Sequence, residues 1–192
     1  MANIDDFRAK LLGGGARANQ FKVTITQPTG IFIGLDVERT SFMVRSASLP
    51  AMTLAEIAVP FRGRQIWIAG DRTFDETWST IFLNDTDFMI RNAMERWSNG
   101  INDLRNARGV TNPNAYQVDL TVAQLDRDDA TLKTYVFRNA WPTSVSAIDL
   151  TSDTADAIEE FEVTWRYQHF EPSSIGLPGT FVPSGPAGGG AE

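Results

Sequence analysis

The sequence predicts a mainly β fold, an antiparallel sandwich or strongly curved sheet with one flanking α-helix. Several segments alternate apolar and polar residues with the period of two that a strand requires; the clearest are residues 21–25, 116–125, 132–140 and 160–167. Residues 90–104 instead repeat apolar side chains every three or four positions, which indicates a helix. Gly, Pro, Asn and Asp separate these segments, as expected for the turns of an antiparallel fold.

The pattern divides the 192 residues into three regions. In an N-terminal arm, residues 1–18, Ile4 and Phe7 have helical spacing and a run of three glycines follows. A β domain is predicted over residues 19–170, and within it residues 31–37 and 41–48 are expected to pair as a hairpin. Residues 171–192 are rich in Pro and Gly and are predicted to form a flexible tail, because such a segment buries too little to offset its ordering entropy.

The helix of the β domain is predicted at about residues 86–100. Asn84 to Asp87 supply polar and acidic residues suited to a helix start. One apolar stripe then follows at helical spacing: Ile90, Ala93, Met94, Trp97, Ile101 and Leu104. A stripe of this kind is typical of a face packed against a core, so we expect it to cover the sheet.

Residues 58–85 are the most informative stretch of the chain. A short strand at residues 54–59 is expected to end at Pro60. Two alternating runs follow, at residues 64–69 and 77–83, and we expect them to pair as a hairpin. The residues between them, 69–75, include a Gly and two Asp, so the charged tip of the hairpin is predicted there.

Composition excludes several classes of protein. The chain has no Cys, which excludes disulfides, thiolate zinc sites and cysteine nucleophiles. Its formal charge is −7 and its basic residues form no stripe of the kind that a nucleic-acid-binding protein shows. Of the 17 basic residues only three are lysines, and arginine is the basic residue enriched at protein interfaces. No apolar run approaches the about 20 residues needed to span a bilayer.

No constellation of residues indicates chemistry. His169 is the only histidine, so a metal site or a Ser-His-Asp triad would have to depend on it alone. No nucleophile-elbow motif is present, and the glycines at 13–15 lack the Lys and Ser/Thr of a P-loop. We therefore predict that the chain is not an enzyme and has no catalytic residue, cofactor or metal.

A second charge feature lies near the C-terminal strands. Between residues 149 and 162 there are six acidic residues and no basic one: Asp149, Asp153, Asp156, Glu159, Glu160 and Glu162. Two interpretations are open. The segment is either a solvated acidic surface or a surface that must not hold a passing polyanion.

A colinear series of residues carries a resemblance to a known family. It includes Asn19 with the strand of residues 21–25, Ala47-Ser48-Leu49-Pro50, Pro60, Arg64, the run Ile66 to Asp75, Trp78, Asn84-Asp85, Trp141 to Val145 and Glu160 to Thr164. This series closely resembles the tail tube proteins of contractile-tailed, T4-like bacteriophages. The resemblance runs in order over about residues 1–170.

The resemblance implies a tail-tube β domain that assembles into hexameric β-barrel rings. Stacked rings would form the inner conduit for genome delivery, inside a contractile sheath of the virion, after assembly in the host cytoplasm. The implied partners are other copies of the chain, the tail sheath protein, the baseplate and tail terminator proteins, and a tape measure protein in the lumen. DNA would pass without binding, which an acidic lumen favours.

Two regions are predicted to contact other subunits. The first is the hairpin, between stacked rings: Arg62, Arg64, Gly70, Asp71, Arg72, Thr73, Phe74 and Asp75. The alternative is that Asp71 and Arg72 only stabilise their own turn. The second region is the arm, with Ile4 and Phe7 against an adjacent ring. The acidic residues of 149–162 are the predicted lumen surface.

Other functions stay open from the sequence alone. The chain could be the tube protein of a tailocin or of a type VI secretion-like particle, or the baseplate protein that initiates a tube. A different class, a carbohydrate-binding β-sandwich, predicts a stable monomer that binds glycans and does not assemble.

Overall fold

A computed structural model describes residues 3–11, 15–73, 77–153 and 156–174. The helices are α1 (Ile4–Lys10), α2 (Val37–Phe42), α3 (Met89–Ile101) and α4 (Pro113–Tyr116). The strands are β1 (Phe21–Ile25), β2 (Val44–Ala47), β3 (Thr53–Phe61), β4 (Arg64–Thr73), β5 (Thr77–Leu83), β6 (Val118–Leu125), β7 (Thr131–Val145), β8 (Glu160–Arg166) and β9 (His169–Ser174). The fold is mainly antiparallel β, as the sequence predicts.

Seven of the strands form one antiparallel sheet in the order β1-β6-β7-β8-β5-β2, with β9 also paired to β7. The long strand β7 joins two halves of this sheet. Its first half pairs with β6 and β9, and its last residues pair with β8. Between the halves, Asn139 has a positive φ of 55°, and its N–H donates to the Asp119 carboxylate. The local change of backbone direction lets the sheet curve onto itself.

The core lies inside this curve. Trp78 on β5 and Phe137 on β7 stack with ring centroids 4.4 Å apart, and Tyr167 meets Phe137 edge to face at 5.0 Å. The alternating residues that predicted the strands are the buried ones: Val23, Ile25, Leu120, Val122, Phe161, Val163 and Trp165. Alternation thus identified both the strands and the faces they bury.

Helix α3 closes the core on one side. Ile90, Ala93, Met94 and Trp97 are buried, Ile101 is partly buried, and Leu104 lies beyond the helix end and is exposed. Trp97 packs edge to face on Trp165 at 5.6 Å. Trp97 also donates its indole N–H to the Tyr116 carbonyl, so its one polar atom is satisfied at the interface.

The prediction that residues 64–69 and 77–83 pair as a hairpin is wrong. β4 pairs with β3, and β5 pairs with β8 and β2 instead. The turn that joins β3 and β4 is Arg62-Gly63, where φ is +48° and +79°. Positive φ at both central residues is typical of the two-residue hairpin turn whose backbone matches the right-handed twist of the strands. Pro60 does not end the preceding strand, because it pairs with Gln65 in a two-strand ribbon where its missing N–H can face outward.

Residues 31–48 do not form the predicted hairpin. Residues 31–36 have no strand pairing, and α2 takes residue 37 and the first two residues of the second predicted strand. Asp36 begins α2, with its carboxylate accepting from the Arg39 N–H. Only Val44–Ala47 is a strand, at the edge of the sheet beside β5.

The C-terminal boundary lies slightly later than predicted. β9 continues the sheet to Ser174, four residues beyond the expected end of the β domain at residue 170. The rest of the predicted tail, residues 175–192, lies outside the described residues.

Candidate assembly surfaces

The β3–β4 ribbon is a separate two-stranded sheet whose side chains are almost all exposed. Cross-strand neighbours share a face, and the pairs Ile57–Ile68, Val59–Ile66 and Phe61–Arg64 define one face of the ribbon. We call Ile57, Val59, Phe61, Ile66 and Ile68 the ribbon face; 39–56% of each of these residues is exposed. Exposed apolar residues grouped in this way mark an interaction surface.

The opposite face of the ribbon is more mixed. It carries the pairs Glu56–Ala69, Ala58–Trp67 and Pro60–Gln65. Trp67 is 61% exposed there. The ribbon tip carries Arg62, whose guanidinium lies 5.4 Å from the centre of the Phe61 ring, and Arg64 follows directly after the turn. The tip is therefore cationic.

The predicted tip residues divide into two groups. Arg62 and Arg64 do flank the turn. Gly70 to Thr73 lie instead at the far end of β4, where the ribbon joins the body. A Cβ on Gly70 would lie 3.1 Å from the Ala55 carbonyl oxygen, so this position allows close approach of the two strands. Phe74 and Asp75 lie outside the described residues.

The N-terminal arm contains α1, which has no buried residue. Ile4 and Phe7 are 73% and 65% exposed, and Leu11 is 44% exposed. These three residues share one side of the helix, because they are three and four positions apart. The arm therefore presents a short apolar stripe.

The acidic segment lies mostly in the connection between β7 and β8. Glu160 forms an ion pair with Arg45, and the Glu159 carboxylate accepts a hydrogen bond of 2.9 Å from the Asn84 amide. Asp149, Asp153 and Asp156 are exposed, and no ion pair joins them to the rest of the described chain. Glu162 on β8 is likewise exposed and forms no ion pair with the described residues, so four of the six acids leave their charge to the solvent.

Two arginine clusters tie elements of the body together. Arg39 of α2 binds both Asp85 and Asp87 before α3. The Arg39 guanidinium lowers the pKa of Asp85. The pKa of Asp87 is lowered mainly by the hydrogen bond from the Met89 N–H and, to a smaller extent, by the hydrogen bond from Arg39. Asp87 thereby contributes to the start of α3, although the helix begins three residues later than predicted.

The second cluster joins three strands of the sheet. Arg138 on β7 contacts Asp119 on β6 at 2.5 Å and Glu171 on β9 at 2.7 Å. The Arg138 guanidinium lowers the pKa of Glu171. His169, the only histidine of the chain, lies 3.5 Å from Glu171 and is half exposed. His169 thus belongs to the cluster of polar side chains that attaches β9 to β7.

One surface was not predicted from the sequence. A groove of about 460 Å³ lies between the end of α2 and the β1–β6 edge, and we call it the Phe42 groove. Phe42 stands at its rim and is 77% exposed, while Phe21 and Leu125 form its apolar wall. Ser41 and Phe42, which line it, belong to a segment that the sequence predicts as a strand, whereas they end α2.

The described part of the chain holds no cluster of three or more His, Cys, Asp or Glu residues suited to a metal ion. Among the same residues, no helix is long and apolar enough to cross a membrane. The prominent features of the surface are thus the ribbon, the arm and the Phe42 groove.

Comparison with solved structures shows where this fold occurs. A chain of an extracellular contractile injection system, the PVC sheath–tube complex in its extended state, superposes with a TM-score of 0.58 over 91% of this chain and all of the other, at 13% identity. A chain of the anti-feeding prophage baseplate gives a TM-score of 0.55 over 85% of this chain and 98% of that one, at 14% identity.

Sequence comparison is more specific. The family model for the phage tail tube protein matches residues 16–173. The tail tube protein of Serratia phage KSP90 is 30% identical over 169 residues, which is 87% of this chain and 95% of that protein. Tail tube protein gp19 of Enterobacteria phage T4 is 32% identical over 170 residues, or 88% of this chain and 99% of that protein. The chain belongs to the phage tail tube protein family and is a structural component of the tail tube of a contractile-tailed phage virion.

Proposed function

We propose that this chain forms hexameric rings, and that the rings stack through the β3–β4 ribbon into the conduit of the tail. The observation that carries the proposal is the ribbon face, five large apolar residues that the described part of the chain leaves 39–56% exposed. In a monomer such a face is an aggregation liability. In a tube it becomes a buried interface.

The energetics of the ribbon support assembly. An isolated two-stranded hairpin is marginally stable in water, and this ribbon packs little of its surface on its own subunit. Burying an Ile, Val or Phe side chain completely contributes about 1.5–3 kcal/mol. Since about half of each ribbon-face side chain is still exposed, covering all five would contribute on the order of 5 kcal/mol per subunit.

The sheet offers a geometric reason for ring closure. Among the described strands of the large sheet, β1, β2 and β9 each have one edge without a partner strand. Open edges are a liability that a closed arrangement of subunits removes. Two different surfaces that meet head to tail give either a ring or a filament, and a tube needs both kinds of contact.

The charge distribution supports passage of DNA. Asp149, Asp153 and Asp156 are exposed and unpaired within the described residues. If this segment lines the lumen, it repels the DNA backbone, so that DNA slides without binding. The cationic ribbon tip, with Arg62 and Arg64, would then have to face a neighbouring subunit rather than the lumen.

The proposal also names partners. The solved relatives come from a sheath–tube complex, a baseplate, a tube-terminating cap and a sheath/tube terminator. By analogy, the partners of this chain are the tail sheath, baseplate and terminator proteins, with a tape measure protein inside the lumen during assembly. The role is structural, without catalysis.

Substitution on the ribbon face tests the proposal. Ile66→Glu places a carboxylate among apolar side chains, and burying it there is unfavourable by several kcal/mol. The variant should remain unassembled under conditions in which the wild type forms stacked rings or tubes. Negative-stain electron microscopy and sedimentation velocity measure this directly.

A matched control uses the other face of the ribbon. Gln65→Glu adds the same charge one residue away, on the side shared with Pro60. It should assemble much as the wild type does. If Ile66→Glu forms tubes of normal length, or if both variants fail alike, the ribbon face is not the stacking interface.

A further inference from the structure

No described part of the chain buries the apolar stripe of α1. Its three anchors, Ile4, Phe7 and Leu11, are 73%, 65% and 44% exposed. A seven-residue helix is too short to be stable by itself in water, where about 12–15 residues are needed even for favourable sequences. An amphipathic segment of this length needs a complementary surface.

The Phe42 groove has the composition to receive the apolar side of such a helix. Its volume is about 460 Å³. Phe21 and Leu125 supply an apolar wall, and Phe42 extends into solvent at the rim. Recognition of an amphipathic helix in a groove typically uses anchors at positions i, i+3 and i+7. Ile4, Phe7 and Leu11 have that spacing.

Charges on the two surfaces are complementary. The helix has Asp5 and Asp6 in its first turn and basic residues in its last turn. The groove carries one basic and one acidic residue, Lys22 and Asp129. A helix lying along the groove can therefore place its acidic end near Lys22 and its basic end near Asp129. Such pairs fix orientation more than they add affinity.

The arm leaves the body at the rim of the same groove. Gln124 donates its amide N–H groups to the carbonyls of Arg17 and Gln20, at 2.7 and 2.6 Å. The Leu125 N–H donates to the Gln20 carbonyl at 2.9 Å. These bonds fix the C-terminal end of the arm, where it joins the body, beside Leu125. Ile4 and Phe7 nevertheless remain exposed, so the helix does not occupy the groove of its own subunit.

We propose that α1 of one subunit docks in the Phe42 groove of another copy of the chain. This inference rests on the proposed assembly into a tube. Helix and groove are different surfaces of one chain, so each subunit gives one arm and receives one. The contact is therefore heterologous and can propagate along or around a tube.

Crosslinking between two single-cysteine variants tests the docking, and the absence of native cysteine removes background. Arg8 flanks the apolar stripe by helical geometry, and Ser41 lines the groove. Full-length Arg8→Cys and Ser41→Cys chains are mixed, assembled and treated with a short bismaleimide. The expected product is a covalent dimer of the two chains. Adding Phe7→Asp to the Arg8→Cys chain should reduce this dimer about tenfold, because it removes the central anchor.

The control places the same charge on the opposite side of the helix. Ala9→Asp lies away from the stripe and should leave the yield of dimer unchanged. The docking is overturned if normal tubes form without the dimer, an outcome that leaves the proposed function intact. It is also overturned if a double Arg8→Cys/Ser41→Cys chain crosslinks within one subunit at high dilution. If the wild type forms neither rings nor tubes, the proposed function and the docking fail together.

Discussion

The hydrogen bond between Trp165 of β8 and Thr80 of β5 joins two paired strands beneath α3, and removing it should destabilise the subunit measurably. The Trp165 indole N–H donates to the Thr80 hydroxyl at 2.8 Å, and both residues are fully buried. Trp165 in turn supports Trp97 of α3. Thr80→Val keeps the shape of the side chain but removes the acceptor. A buried donor left without a partner costs about 1–3 kcal/mol.

Urea unfolding followed by tryptophan fluorescence measures this cost. The measurement is best made in the Ile66→Glu background, because assembly would add to the apparent stability. In a parallel thermal unfolding measurement, the melting temperature should fall by about 2–4 °C for each kcal/mol lost in a domain of this size.

A double-mutant cycle separates the hydrogen bond from packing. In a Trp165→Phe chain no indole donor remains, so adding Thr80→Val should change the free energy of unfolding little. An equal cost of Thr80→Val with and without the indole would refute the assigned role of this hydrogen bond.

Two further predictions concern other contacts. Arg39→Gln should raise the pKa of Asp85 toward its ordinary value of 3.8, and that of Asp87 less, because the Met89 N–H still lowers it; NMR titration of the carboxyl carbons measures both. Both pKa values are lowered in the folded chain, so the stabilisation by these carboxylates is present above the unfolded pKa and is lost as pH falls through the folded pKa. The Arg39→Gln variant should therefore lose less stability on acidification than the wild type does. Gly109→Ala would put a Cβ 2.2 Å from the Ile101 carbonyl oxygen, and should destabilise the chain by about 1–3 kcal/mol in thermal unfolding; an unchanged midpoint would contradict this packing.

Much of the body could be predicted because its residues obey one simple rule. Strands with one buried face must alternate, and the helix that covers them must carry a continuous stripe. Val163, Trp165 and Trp97 follow these periods and are buried where the sequence placed them. For such elements the local pattern and the tertiary contact coincide.

The ribbon was mispredicted because its pattern carries no information about its partner. β3 and β4 are exposed on both faces, so alternation could not show which strands pair. The turn at Arg62-Gly63 carries the signal that was missed, since Gly in a two-residue loop marks a hairpin. The strand was predicted to end at Pro60, because proline is excluded from central strands; at the edge of a two-stranded ribbon, however, proline is tolerated.

The candidate assembly surfaces were only partly predictable for a related reason. Ile4 and Phe7 could be identified from helical spacing, and the ribbon region from family resemblance. The Phe42 groove could not, because Phe21, Phe42 and Leu125 come from distant parts of the sequence and meet only in the fold. Sequence periodicity describes one element at a time, whereas a groove belongs to several.

The central claim is that this chain builds a tube through its exposed ribbon. Cryo-electron microscopy of the purified wild-type chain after assembly tests it most directly. We expect stacked six-fold rings, with Ile57, Val59 and Ile66 of the ribbon face buried against a neighbouring subunit. A stable monomer, or rings in which the ribbon face stays in solvent, would contradict it.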